Sequence, residues 1–196
     1  MRLATDPAAT PRNARRFGDS RALGMALFIF TEVMLFAGFV SAFIIVRTMT
    51  PVGAWPPPDQ PRLPVERTAI NTAALLLSGV ALWVAGRRFR SRGPEAAGPW
   101  MGAALVLGLA FVGLQGAEWW GLLSRGLTLT SSQLGSFFYV IVGAHAVHAI
   151  AAIIALALAC RALARRTLSE GRLSAVSMFW YFVVLVWPVL YWKVYL

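Results

Sequence analysis

Long runs without a charged side chain alternate along this chain with short clusters of arginine. Residues 68–86, 96–117, 126–160 and 173–192 are uncharged, and 22–46 would be but for Glu32. Each run suffices for the ~20 residues that cross a hydrocarbon core. The apolar positions are continuous and do not alternate every second residue, which is the pattern of a spanning helix and not of a barrel strand. A helix in lipid satisfies its own backbone groups, so the runs can stand in a bilayer. They predict an all-α integral membrane bundle of five transmembrane helices, at approximately 22–46, 68–86, 99–121, 135–160 and 173–192. Residues 1–21 are read as a basic lead-in and 22–196 as one transmembrane domain, with no room for a second, soluble one.

Composition sharpens the class. The chain is 58% hydrophobic and 13% charged, with a formal net charge of +10. Such a charge can signal nucleic acid, but here its placement signals membrane topology. Thirteen of the 18 basic residues fall before the first helix and in the second and fourth connecting or terminal segments that share its side, and five fall on the other. The positive-inside rule then puts the amino terminus in the cytoplasm and the carboxyl terminus outside. No nucleic-acid partner is expected. The Arg-rich stretch 1–21 also has a reading as an organelle transit peptide, against which Asp6, Asp19, Pro7 and Pro11 count. The alternative is a cytoplasmic lead-in drawn to anionic headgroups. A cleavable secretory signal is not expected, since 22–46 far exceeds an h-region of ~7 to 15 residues. Cys160 is the one cysteine. It excludes a disulfide framework and reads as a small apolar filler at a helix end.

Between the first two helices, residues 47–67 hold six of the eleven prolines, including Pro56 to Pro58 after Trp55. This segment is expected to be an extended, stiff cover over the outer face, packed on its own subunit or a neighbour. The two inner loops are short, which makes the second and third helices, and the fourth and fifth, antiparallel neighbours. Small residues pair at four-residue spacing at Ala37 with Ser41 and Gly38 with Ala42, as helices in close approach require, although Gly and Ala are so frequent here that chance matches are common. No internal repeat is found, and five helices cannot divide into the matched halves of an inverted-repeat transporter.

Few groups inside the spans can titrate. Glu32 is a carboxylate in mid-bilayer, costly unless it faces a partner helix or a wet cavity. At 1.5 Å per residue it lies ~16 Å from Arg21, while His148 on the oppositely running fourth helix lies ~20 Å from Arg161. The two reach similar depth, and His145 shares a helix face with His148 at i, i+3. The first and fourth helices are therefore expected to pack together, with Glu32 hydrogen-bonded or ion-paired to His148 directly or through water, each relieving the other's desolvation. The cluster Glu32, His145, His148 has three readings: a contact that fixes packing, a part in proton or headgroup handling, or a metal or haem site. Two histidines one turn apart cannot clasp a haem between them, and a closed metal site needs at least three ligands. Glu118, Trp119 and Trp120 are expected at the outer interface, since adjacent tryptophans are typical of an aromatic belt. Trp187, Tyr191, Trp192 and Tyr195 are expected to anchor the fifth helix at the same face.

Six segments in order resemble subunit III of the haem-copper respiratory oxidases, the cytochrome c oxidase and quinol oxidase family. They are GMALFIFTEVMLFAGFVSAF (24–43), Trp55 to Pro57, NTAALLLSG (71–79), LGLAFVGLQGAEWW (107–120), FFYVIVGAHAVH (137–148) and FWYFVVLVWPVLY (179–191). Similarity covers a short five-helix form, without two amino-terminal helices of longer relatives. It implies a non-catalytic subunit of a terminal oxidase in aerobic electron transport, flanking the catalytic subunit I beside other oxidase subunits. It also implies that the chain holds no haem, copper or other metal itself, that haem and copper sit in partner subunits, and that phospholipid binds among its helices. On this resemblance Glu32 matches the family's buried glutamate, and His145 and His148 its histidines. The last helix departs from the family's W-H-F-V-D-x-x-W run, having Tyr181 and Val184 where His and Asp usually stand. That weakens any relay of acids and bases through this chain. Two other functions stay open from the residues alone: an accessory or assembly subunit of a nitric oxide reductase, and a stand-alone proton-coupled transporter or channel. The preference for Arg over Lys and the span pattern together suggest a bacterial inner membrane.

Overall fold

The computed structural model describes residues 12–51 and 61–195, with side chains from residue 22 onward. Five α-helices fill it: α1 (Arg12–Met49), α2 (Val65–Arg92), α3 (Pro94–Ser124), α4 (Gln133–Ala164) and α5 (Glu170–Leu190). A five-residue π-helical turn, Tyr191–Tyr195, closes the described chain. Among the described residues there is no strand, and all five helices are long and apolar enough to cross a membrane. The chain is an all-α, multi-pass membrane protein. The part of the outer loop holding Trp55 to Pro57, and residues 1–11 of the lead-in, lie outside the described residues.

Helices begin and end where local chemistry directs. Gly93 alone separates α2 from α3, at φ 88° and ψ 174°, a conformation that a side chain disfavours and glycine adopts freely. Pro94 then opens α3, where its missing N–H leaves no intrahelical bond unmade. Ser132 caps α4 by accepting from the Gly135 N–H at 3.0 Å, and Ser169 caps α5 by accepting from the Arg172 N–H at 3.3 Å. Pro188 sits in the last turn of α5, and the wider π turn follows it.

α2 and α3 form a tight antiparallel hairpin, and α5 packs against α1, α2 and α4. The core centres on α5: Trp180 and Trp187 are fully buried, with Leu82, Met101, Phe138 and Ile141 around them. Two glycines set the closest approaches. A Cβ at Gly79 would stand 3.0 Å from Val184, and one at Gly108 would collide with the Trp180 indole. Gly38, of the predicted small-residue pairs, has open space beside it, because α1 is peripheral and, among its described side chains, buries only Phe36 and Phe43 deeply. Sequence spacing could not distinguish a glycine that admits a tryptophan from one that faces outward.

Candidate functional site

Glu32 is carried on α1, and it reaches across to α4. Its Oε2 lies 3.0 Å from His148 Nε2, and the two side chains are 17% and 16% exposed. His148 Nδ1 lies 2.8 Å from the Ala144 carbonyl, an oxygen that can only accept, so Nδ1 carries a proton. One further proton then occupies the Glu32–His148 line, on the carboxyl or on Nε2. Phe36, Phe179 and Phe182 stand around the imidazole with ring centroids 5.5, 6.4 and 6.0 Å away, so the pair has apolar walls. α1 meets α4 at this contact but lies chiefly along α5.

His145 has a different setting. One turn earlier on α4 it turns into the bundle, only 2% exposed, with Trp187 at 4.9 Å and Phe36 and Phe111 both at 6.3 Å between ring centroids. Its Nε2 is buried and has no hydrogen-bond partner. The i, i+3 histidines thus serve opposite sides of one helix face: His148 answers α1, and His145 faces α3 and α5. Among the described residues no three His, Cys, Asp or Glu side chains gather as metal ligands.

A second polar centre forms around Glu118. Thr68 Oγ1 donates to its Oε2 at 2.9 Å, Asn71 Nδ2 donates to its Oε1 at 3.0 Å, and Gln115 Nε2 donates to Oε2 at 3.2 Å. Gln115 Nε2 also donates to the Tyr195 hydroxyl at 3.0 Å, which ties the closing π turn to α3. Glu118 therefore joins α2, α3 and the carboxyl-terminal turn, a role the adjacent tryptophans did not reveal. Asn71 lay within a motif already singled out by resemblance, and an amide in a span was the available signal for it. Trp119 and Trp120 diverge: Trp119 packs on Phe138 and Tyr139, while Trp120 is 75% exposed.

Of the four aromatics expected to anchor α5 at the interface, Trp187 and Tyr195 are core residues, and Trp192 is exposed. Trp187 Nε1 donates to Thr72 Oγ1 at 2.9 Å, and Trp180 Nε1 donates to Ser78 Oγ at 3.2 Å. These bonds staple α5 to α2. Tyr191 donates to the Val65 carbonyl at 3.0 Å. An indole N–H finds its partner only in three dimensions, which is why position in the sequence suggested a belt. Val184 packs against Gly79, and Tyr181 is half-buried.

Comparison with known proteins adds family similarity. Residues 14–196 match the family model described as cytochrome c oxidase subunit III. The chain is 30% identical over 183 residues to cytochrome c oxidase subunit 3 of Synechocystis sp., covering 91% of this chain and 76% of that relative. It is 29% identical over 192 residues to the subunit 3 of Bacillus subtilis, covering 96% of this chain and 91% of the relative. To the subunit 3 of Cyprinus carpio it is 34% identical over 179 residues, covering 88% of this chain and 67% of the relative.

Proposed function

This chain belongs to the cytochrome c oxidase subunit III family, and from that premise we propose that it is a non-catalytic integral subunit of a haem-copper terminal oxidase. It flanks the catalytic subunit in a bacterial inner membrane, with its amino terminus in the cytoplasm, and stabilises that subunit and its lipid surroundings. Oxygen is reduced to water at haem and copper held by the partner. The observation that carries this is the unbroken family match over residues 14–196, which runs through all five helices.

Two features support the lipid part. Between α1 and α5 lies an apolar groove of about 660 Å³, lined by Val33, Phe36, Phe182 and Leu185 among others, which suits acyl chains. A cleft of about 300 Å³ between α2 and α3 is lined by Arg67 and Arg125 together with Glu118, two cations to one carboxyl, which suits a phosphate headgroup. The Glu32–His148 pair has a structural role in this scheme, holding peripheral α1 to the bundle through a contact whose loss would strand a buried acid.

Affinity purification of the tagged chain in mild detergent tests the proposal. The expected result is haem absorbance from co-purifying subunits and none from the isolated chain. In a strain lacking the chain, initial oxygen reduction should persist while the enzyme loses activity sooner during turnover. An unchanged working life, or haem bound by the chain alone, would overturn the assignment.

A further inference from the structure

The cleft between α2 and α3 carries more chemistry than a phosphate needs. Its lining brings Arg67 and Arg125 together with Glu118 and Asn71, over a wall that includes Ile70 and Leu114. Arg67 stands in the first turn of α2 and Arg125 closes α3, so both side chains rise from one end of the bundle, the end proposed above to be external. Both are exposed. Among the described residues the ion pairs are Glu32–His148 and Arg166–Glu95, which leaves these two cations without a carboxylate in ion-pair contact. Glu118 lies ~10 Å inward of Arg125 along α3 at 1.5 Å per residue. It accepts from Thr68, Asn71 and Gln115, so its charge is met inside the bundle. Two cations to one carboxyl leave an excess of one positive charge for an anion to match.

Asn71 adds a second demand. Its side chain is 3% exposed and pinned by Nδ2 donating to Glu118, which turns Oδ1 the other way. Among the described residues no group donates to that oxygen, and the closed, unbonded side-chain atoms are Gln115 Oε1, Trp119 Nε1 and His145 Nε2, without it. An amide oxygen that is unbonded yet reachable takes a donor from whatever fills the cleft. A phosphodiester matches the two arginines but has no hydrogen to give, and a choline group has none either. An ethanolamine ammonium has one, but it sets a positive charge beside two unpaired cations while Glu118 already holds three donors. A hydroxyl on an uncharged substituent meets Asn71 and keeps the anion matched to the excess charge. Leu114, a further ~6 Å inward of Glu118, and Ile70 continue the wall in apolar side chains, which suits an acyl chain beneath the headgroup.

We propose that the α2–α3 cleft binds a lipid phosphodiester with a hydroxylated, uncharged headgroup, the chemistry of phosphatidylglycerol, its phosphate on Arg67 and Arg125 and a headgroup hydroxyl donating to Asn71 Oδ1. The assignment rests on the phosphate reading of this cleft given above and adds which phosphate it takes. Glu118 is a positioning residue there, holding the Asn71 amide so that its oxygen faces the ligand. The site belongs to this chain alone, so it can be present or absent whatever co-purifies.

The test is native mass spectrometry of the full chain, delipidated in detergent and titrated with dioleoyl lipids. Phosphatidylglycerol should bind as one saturable equivalent, about fivefold or more tighter than phosphatidylcholine, phosphatidylethanolamine or phosphatidylmethanol, the last having the same anion without hydroxyls. Arg67→Gln and Arg125→Gln should each weaken phosphatidylglycerol by about fivefold or more. Gly121→Leu, in the cleft lining where a Cβ meets nothing within 4 Å, should weaken it as well while the thermal midpoint holds. In Asn71→Ala the preference over phosphatidylmethanol should vanish. Equal affinity for phosphatidylglycerol and phosphatidylmethanol in the unsubstituted chain would overturn the hydroxyl assignment and leave the phosphate reading standing. Unaltered affinity in both arginine variants would end both. Tighter binding of phosphatidylethanolamine, or displacement by excess inorganic phosphate, would also sink the proposal, the latter by giving the cleft to a free anion.

Discussion

At the scale of single residues, the Glu32–His148 contact is the test of how a carboxylate is tolerated between spans. Its geometry admits two proton placements and no others, since Nδ1 is committed to the Ala144 carbonyl. A neutral imidazole must therefore accept at Nε2. Glu32→Gln can supply an N–H to that nitrogen and should retain most of the stability, whereas Glu32→Leu cannot. A double-mutant cycle with Glu32→Ala and His148→Ala should give a favourable coupling near the ~0.6 kcal/mol average for interhelical hydrogen bonds in membranes, up to ~1.7. Reversible unfolding in mixed micelles measures it, and zero coupling would mean that the pair does not hold α1. Glycine supplies the second residue-scale prediction. Gly108→Ala would drive a methyl into Trp180 and should destabilise by about 1–3 kcal/mol, as overpacking does. Gly116→Ala, with open space, should be neutral or slightly stabilising in the same assay.

At the scale of elements, α2, α3 and α5 are fastened by polar bonds more than α1 is. Glu118 accepts from three donors on two helices, and no amide can replace it without turning an NH₂ group toward at least one of them. Glu118→Gln should accordingly lower the thermal midpoint in detergent, more than Thr68→Val, which removes a single donor. An unchanged midpoint would show that the network contributes nothing to the α2–α3 hairpin. Trp187→Phe keeps most of the packing but leaves Thr72 without its indole donor, and the predicted loss is about 0.5–1.5 kcal/mol. Glu118 and Trp187 share no direct bond, but both reach Thr68, one through its hydroxyl and the other through Thr72, so the two substitutions should couple in a double-mutant cycle.

For the whole molecule, the membrane orientation proposed from the charge pattern can be tested directly. In a Cys160→Ser background, Ser91→Cys in the last turn of α2 should react with a membrane-impermeant maleimide only after the cytoplasmic side is opened. Thr128→Cys between α3 and α4 should react in intact cells. The opposite pattern would reverse the assigned topology. Peripheral α1 has Leu23, Leu27, Phe30 and Met34 all exposed, an apolar outer side over residues 23–34. In a bilayer that side meets acyl chains or a partner subunit, and on its inner side Phe36 and Phe43 anchor it to this chain beside the Glu32–His148 contact.

The fold class was legible because the bilayer imposes a one-dimensional rule: a span must be long, apolar and helical, whatever it packs against. Five runs, their helical character and the family resemblance needed no knowledge of neighbours. The matched depth of Glu32 and His148 could likewise be counted along two helices at a fixed rise. What the chain does laterally was not legible, because depth is set by position in the sequence while azimuth is set by packing. Only the tertiary structure turned His145 away from Glu32, brought Thr68, Asn71 and Gln115 onto Glu118, and drew Trp187 and Tyr195 from an expected interface into the core. Each of these depends on which face of one helix another helix covers, and in lipid, where all faces are apolar, a hydrophobic pattern carries no record of that choice.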